Sequence, residues 1–390
     1  MDIKTAVKKV VEKAVNWRHQ IHMNPELGYK EYETSALVEN VLSEAGIEVT
    51  RFEDSTAVLG VLKGGKPGKT IALRADMDAL PIQELAEVEY KSQNDGVMHA
   101  CGHDIHTAVL MGVATALAEN KEEVPGTVKF LFQPAEEVPP GGAKFMVKDG
   151  VLKDPDADYV FGLHSSTNFS PGHVEIISGY SHANTDGCTI KIIGNGAHGA
   201  YPHKGIDAVH VSGHVIVGLH SIISRSLDPL DSGVITIGSV HAGTVNNIIA
   251  ETAEMLLTVR TLTDDAREKV KKRIIEVTEN TAKAHGAKAE VDYWYGYPSL
   301  YNSEEGVEIV TNAAKNILPE DKIHFRDKPG MGGEDFAYFL QEVTGAFFYL
   351  GTKTEGDDYP GHNPRFNPSD QGIQTGIEMM LSVVMTANNQ

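Results

Sequence analysis

Apolar residues in the first half of the chain follow two rhythms. Residues 70–75 (TIALRA), 127–132 (TVKFLF) and 159–163 (YVFGL) are short, mainly apolar runs, the pattern of buried strands. Between the first two, Val109, Leu110, Val113, Ala114 and Leu117 recur at helical spacing and predict a helix over 105–118. Strand, helix, strand in that order implies parallel pairing in an α/β sheet. Residues 346–351 (AFFYLG) predict one more strand of the same kind.

The middle of the chain changes rhythm. Strands are predicted over 187–194, 233–240, 253–262 and 287–294, with helices over 205–225 and 264–284; the first helix carries Val211, Val215, Leu219, Ile222 and Ile223 on one stripe. The order β-α-β-β-α-β is that of a ferredoxin-like unit, large enough to be a domain by itself. The expected architecture is therefore α/β: a larger mixed-sheet domain with helices on both faces, from residues 1–183 and 298–390, and an inserted ferredoxin-like domain over 184–297.

Size and charge narrow the function. At 390 residues the chain exceeds one ordinary hydrophobic core, which agrees with two domains. A formal charge of −20 argues against nucleic acid and against an anionic membrane surface, which both select basic faces. The amphipathic N-terminus, with Val7, Val10, Val11 and Val15 among lysines, reads as a helix rather than an export signal, and no apolar run approaches the roughly 18 to 20 residues of a membrane span. Two cysteines make no disulfide framework, so a reducing, cytoplasmic home is expected.

Candidate chemistry concentrates at predicted strand ends. Residues 99–106 (HACGHDIH) place Cys101 and His103 one residue apart ahead of a helix, so that a turn can aim thiolate and imidazole at one point. The competing reading is a capped helix start, with Asp104 meeting the free amides. Position favours metal: the first strand runs into Asp76 and Asp78, the second into Glu136 and Glu137, the third into His164, and the late strand into a loop with His362. In open α/β sheets ligands bind at that carboxyl edge. Of the adjacent glutamates, one can ligate while the other takes a proton from activated water. Asp76 suits the carboxylate that orients a ligating imidazole, with Asp78, two residues on, as the alternative for that role. The glycine-rich segment 194–203 (GNGAHGAYPH) lacks the signature of a phosphate loop, and its His198 can serve either as an oxyanion donor or as an exposed loop histidine. Most of the 17 histidines, including His210, His214 and His220, read as structural or solvent-facing.

These segments together resemble the co-catalytic metallopeptidase and amidohydrolase superfamily of aminoacylase, hippurate hydrolase, auxin-conjugate hydrolase and N-acetyldiaminopimelate deacetylase. The resemblance runs over essentially the whole chain: RHQIHMNPELGYKEYET from Arg18, LRADMDALP from Leu73, MHACGHDIHTAVLMG from Met98, FQPAEE from Phe132, GNGAHGAYPHKGIDAV from Gly194, GGEDFAYF from Gly332 and HNPRF from His362. It implies two divalent metal ions (Zn2+, Mn2+, Co2+ or Ni2+) held by Cys101, His103, Glu137, His164 and His362, with Glu136 as general base and Asp76 as supporting acid. It also implies that the insertion is a lid that forms a homodimer contact, and that His198 reaches into the partner subunit's active site to polarise the scissile carbonyl. Asn247 and Arg260 match lid positions that contact the substrate, and Gly332 and Gly333 a turn whose backbone meets it. The family's Asn-x-Ile-Pro segment here reads Asn247-Ile248-Ile249-Ala250, and GYSHANTDG from Gly179 departs from the usual small-residue run.

The expected activity is metal-dependent hydrolysis of the amide bond of an N-acyl amino acid, or of a short peptide if the enzyme is a carboxypeptidase or dipeptidase. Two other readings compete. Cys101 can be a nucleophile paired with histidine, or the chain can be a non-catalytic metal-binding protein.

Overall fold

The run at 70–75 lies in the buried part of a longer strand, Lys66–Asp76, whose last seven residues are all buried. A computed structural model describes residues 1–357 and 359–389. In chain order the elements used below begin with α1 (Ile3–Met23), α2 (Tyr32–Glu44), β1 (Glu48–Arg51), β2 (Val58–Lys63), β3 (Lys66–Asp76), α3 (His103–Glu119) and β4 (Pro125–Gln133). Then come β5 (Tyr159–Ser166), β6 (Val174–Ile177), β7 (Asp186–Ile193), α4 (Ala208–Ser226), β8 (Gly233–Ala242) and β9 (Thr252–Thr261). The last are α5 (Asp264–Ala284), β10 (Lys288–Trp294), α6 (Glu304–Ile317), β11 (Ile323–Arg326), β12 (Gly345–Gly351) and α7 (Gln371–Ala387).

The chain divides into two compact units. The first comprises Met1–Ser181, Tyr301–Pro329 and Asp335–Gln390, and the second His182–Leu300 with Gly330–Glu334. An eight-stranded mixed sheet in the order β1-β2-β4-β3-β5-β12-β6-β11 runs through the first. Strands β4, β3, β5 and β12 pair in parallel, so their carboxyl ends share one edge. The two strands beyond β4 are antiparallel additions, β2 on β4 and β1 on β2. Helix α3 is buried from His103 through Leu117, with α1 and α7 packed on it. Its apolar residues therefore surround it rather than forming one stripe, as befits a helix enclosed by protein.

The second unit has its own core. Strands β8, β9, β7 and β10 form an antiparallel sheet in that order. Val211, Val215, Leu219 and Ile222 of α4, with Val270 and Ile274 of α5, pack on Ile190, Ile192, Met255 and Val259 of the sheet. Helix α4 begins at Ala208, three residues after the start predicted, because the Asp207 side chain accepts the amides of Val209 and His210. Thr263 caps α5 in the same way. Among the described residues no helix is long and apolar enough to cross a membrane.

Candidate metal centre

Four strand ends and one helix start deliver the polar side chains of the first unit. Between Cys101 and His103 the chain passes through Gly102 in the left-handed region, at φ 90°. A Cβ on Gly102 would stand 2.3 Å from Ser165 Oγ, so glycine is required there by conformation and by space. After β4 the chain turns at Ala135, also left-handed at φ 54°, and presents Glu136 and Glu137. Their amides both donate to the Asp78 carboxylate, at 3.0 Å each. His362, at φ 64°, donates its own amide to Ala100 O at 2.7 Å, which ties its loop to the segment carrying Cys101.

The donor atoms converge. Cys101 Sγ lies 3.3 Å from His164 Nε2, and His362 Nε2 lies 3.0 Å from Glu137 Oε1. Cys101, His103 and His164 each offer a donor within 4.8 Å of the others, as do Cys101, Glu137 and His362, and again His103, Glu136 and Glu137. Cys101 thus belongs to two triples. The His164 Nδ1 is paired with Ser165 O at 2.7 Å, which puts its proton there and leaves Nε2 as the electron-pair donor facing the sulfur.

His106 lies close by but is occupied. Ser165 N donates to its Nε2 at 2.8 Å, and its Nδ1 donates to Asp76 Oδ1 at 2.6 Å. Asp76 also accepts Arg74 Nη1 at 2.7 Å, and Arg74 continues to Gln133 and Asp335 in a fully buried network. The role expected of Asp76 falls elsewhere: Asp78 Oδ1 is 3.2 Å from His103 Nδ1, whereas Asp76 approaches His103 only at Nε2, at 3.6 Å and without a hydrogen bond. Asp78 therefore orients the imidazole and both glutamates at once. Asp104 does not cap α3. Its side chain accepts Arg18 Nε at 3.0 Å and pairs with His22 Nδ1 at 2.8 Å.

Electrostatics favour a cation at this point. Burial pushes the Cys101 thiol up and disfavours a charged His103, yet Asp76 and Cys101 overcome it and raise His103 well above the ordinary imidazole value. His362 is raised to about 10 by its bonds to Cys101 and then Glu137. Burial would lift Glu137, but His362 and His103 lower it. Burial and the neighbouring His106 hold His164 well below the ordinary value, so it stays neutral. Without a metal, protons on His103 and His362 balance the neighbouring carboxylates. Sulfur, nitrogen and oxygen donors together, with His103 Nε2 buried and without a hydrogen-bond partner, fit a borderline divalent ion in that place.

The other five expected residues belong to the second unit. His198 is exposed and pairs through its backbone with Ile248, while Gly199 N donates to Asn247 O at 2.8 Å, so the His198 and Asn247 loops lie side by side. Arg260 is half-buried on β9, donating to Val259 O at 3.1 Å and to Thr258 Oγ1. Gly332 O accepts Ala183 N at 3.1 Å, and Gly333 is pressed against Thr185, where a Cβ would come within 2.2 Å.

Sequence reasoning missed Arg74, Gln133 and Asp335 behind Asp76, and Glu31, whose carboxylate accepts Ala135 N at 2.8 Å. Nothing local marks Glu31, because its partner lies far along the chain.

A thiol, three imidazoles and paired carboxylates at the carboxyl edge of a mixed sheet form the donor set of a metal-dependent hydrolase. Residues 72–386 match the model of peptidase family M20/M25/M40, and the chain belongs to that family. It is 41% identical over 379 residues to thermostable carboxypeptidase 2 of Saccharolobus solfataricus, covering 96% of this chain and 95% of that one. It is 39% identical over 357 residues to N-acetyl-L-cysteine deacetylase of Bacillus subtilis, covering 91% and 83%. The crystal structure of a Bacillus subtilis dinuclear metal-binding peptidase of the M20 family superposes with a TM-score of 0.85 at 32% identity, covering 98% and 99%.

Proposed function

We propose that the protein hydrolyses the amide bond of an N-acyl amino acid or short peptide beside a free carboxylate, with two divalent ions held by Cys101, His103, Glu137, His164 and His362. The observation that carries this reading is the place of Cys101 in two donor triples, one with His103 and His164 and one with Glu137 and His362. Each triple offers donors that one divalent ion would take. The ions would supply a water of pKa about 7 and a Lewis acid for the carbonyl. Glu136 takes the proton of the attacking water and returns it to the departing amine. Its backbone is aimed by Asp78, which also holds the His103 tautomer. Asp76 acts one layer behind, through His106 and Arg74.

Residues 184–297, which make up most of the second unit, are proposed as a ferredoxin-like lid on a catalytic domain of residues 1–183 and 298–390; the β-α-β-β-α-β order and four-stranded antiparallel sheet support this. His198, Asn247 and Arg260 would grip substrate from it, with the backbone at Gly332 and Gly333, in a cytoplasmic homodimer joined through the lids. A carboxypeptidase and an N-acyl amino acid deacetylase among the relatives suggest the two substrate classes. The decisive experiment offers N-acetyl amino acids, N-benzoyl amino acids and dipeptides to enzyme loaded with Zn2+, Mn2+, Co2+ or Ni2+. Metal-dependent release of free amino acid is expected in at least one combination. Glu136→Gln should retain metal while turnover falls by several orders of magnitude; undiminished turnover in that variant refutes the assignment of the base.

A further inference from the structure

We propose that the second unit carries a separate metal site, built from His210, His214 and His285, that takes a borderline divalent ion such as Zn2+, Ni2+ or Cu2+. His210 and His214 lie four residues apart on α4, hence one above the other on a single face. His285 comes from a different element, the residue that ends α5, which packs against α4. Its backbone amide is held by Thr281 O and Ala282 O, and Gly286 turns the chain away immediately after at φ 77°, so the position of His285 is set by the fold.

The three imidazoles meet one another. Ring centroids are 4.7 Å apart for His210 and His214, 5.1 Å for His210 and His285, and 4.5 Å for His214 and His285. One nitrogen from each lies within 4.8 Å of the other two. Nitrogens around one cation at 2.0–2.1 Å stand about 3.0–3.4 Å apart, so side-chain rotation alone closes the set. Such rotation is open to these rings, since His210 and His214 are exposed and His285 partly so. An all-imidazole triple selects zinc, nickel or copper over magnesium or calcium, and its exposed side leaves coordination positions for water. A cation there would clip the first turns of α4 to the end of α5.

No residue of this cluster belongs to the centre in the first unit, so the proposal stands or falls independently of the proposed function. The test uses the full-length protein, stripped by chelator and then titrated with Zn2+ by equilibrium dialysis and metal analysis. The wild type should bind one more equivalent per chain than His214→Ala or His285→Ala. Both variants should unfold like the wild type when metal-free and retain its amide hydrolysis when loaded. His220→Ala, an exposed position on the same helix, should keep the full complement. Equal zinc stoichiometry in the wild type and both cluster variants overturns the proposal, as does loss of the additional equivalent in His220→Ala. Nitrogen superhyperfine structure from bound Cu2+, present in the wild type and changed in His285→Ala, is the second expected signature; an unchanged copper spectrum overturns it.

Discussion

Two aspartates two residues apart divide one task. In extended chain, residues i and i+2 face the same side, so Asp76 and Asp78 are equivalent by pattern and only coordinates tell them apart. Asp78 receives the His103 imidazole and the amides of Glu136 and Glu137, while Asp76 serves His106 and Arg74. Asp78→Asn leaves the shape but removes the charge that fixes His103, and metal affinity should fall about 10- to 100-fold by competition titration. Affinity equal to the wild type would transfer that role to Asp76. Glu31 gives a pH test of a different residue. Burial raises its carboxyl to about 7, against its hydrogen bonds from Thr56 and Ala135. A folded value above the unfolded 4.5 means that the native state binds the extra proton, so stability is greatest in acid and falls as pH rises from 4.5 to about 7. The fall should approach ~3 kcal/mol, since each tenfold change in proton affinity between the two states is worth about 1.4 kcal/mol. Urea unfolding of the metal-free protein at pH 5 and pH 8 should show this share as a smaller loss of stability in Glu31→Gln than in the wild type.

At the scale of elements, the parallel strands and α3 were readable because their apolar residues are buried on both sides. Strands β1 and β11 were not: each has four residues, and exposure dominates β1, so neither leaves a pattern above the background of a loop. Helix α7 hides for the opposite reason, being buried on nearly every face and so lacking an amphipathic stripe. The residues expected as ligands stood out for a related reason. Cys101, His164, His362 and the Glu136–Glu137 pair all follow or end predicted strands or open a predicted helix, and His103 lies one residue beyond Cys101. The satisfaction of both His106 nitrogens depends on Ser165 and Asp76, which only the sheet register brings together. The start of α3 makes a sharp prediction. Gly102→Ala places a Cβ 2.3 Å from Ser165 Oγ in a left-handed residue, so Cys101 and His103 must separate or the helix start must shift. Metal bound after dialysis should fall by more than one ion per chain relative to the wild type, with far-UV circular dichroism nearly unchanged; wild-type metal content would show that the turn tolerates a side chain.

Across the whole molecule, the donors join stretches of the first unit that are remote in sequence, around Cys101, Glu137, His164 and His362. A ligand that binds only the folded state stabilises it by mass action, about 2.7 kcal/mol at a free concentration 100 times its dissociation constant. The second unit folds around its own core of Ile190, Val215, Met255 and Ile274. Stripping the metal should therefore lower the unfolding midpoint associated with the first unit by several degrees and abolish amide hydrolysis. Re-addition of the ion should restore both. The same experiment separates metal chemistry from a cysteine nucleophile. If Cys101 holds metal, iodoacetamide should label it readily only after chelation, since the ion occupies the thiolate that alkylation needs. If Cys101 were instead the nucleophile, chelators would leave turnover intact and alkylation would inactivate untreated enzyme as fast as stripped enzyme. Mass spectrometry of labelled Cys101, run beside the activity assay with and without chelator, distinguishes them. Cys188, buried in the second unit with its thiol pushed up to about 12 by burial, should stay unlabelled in both and serve as the internal control.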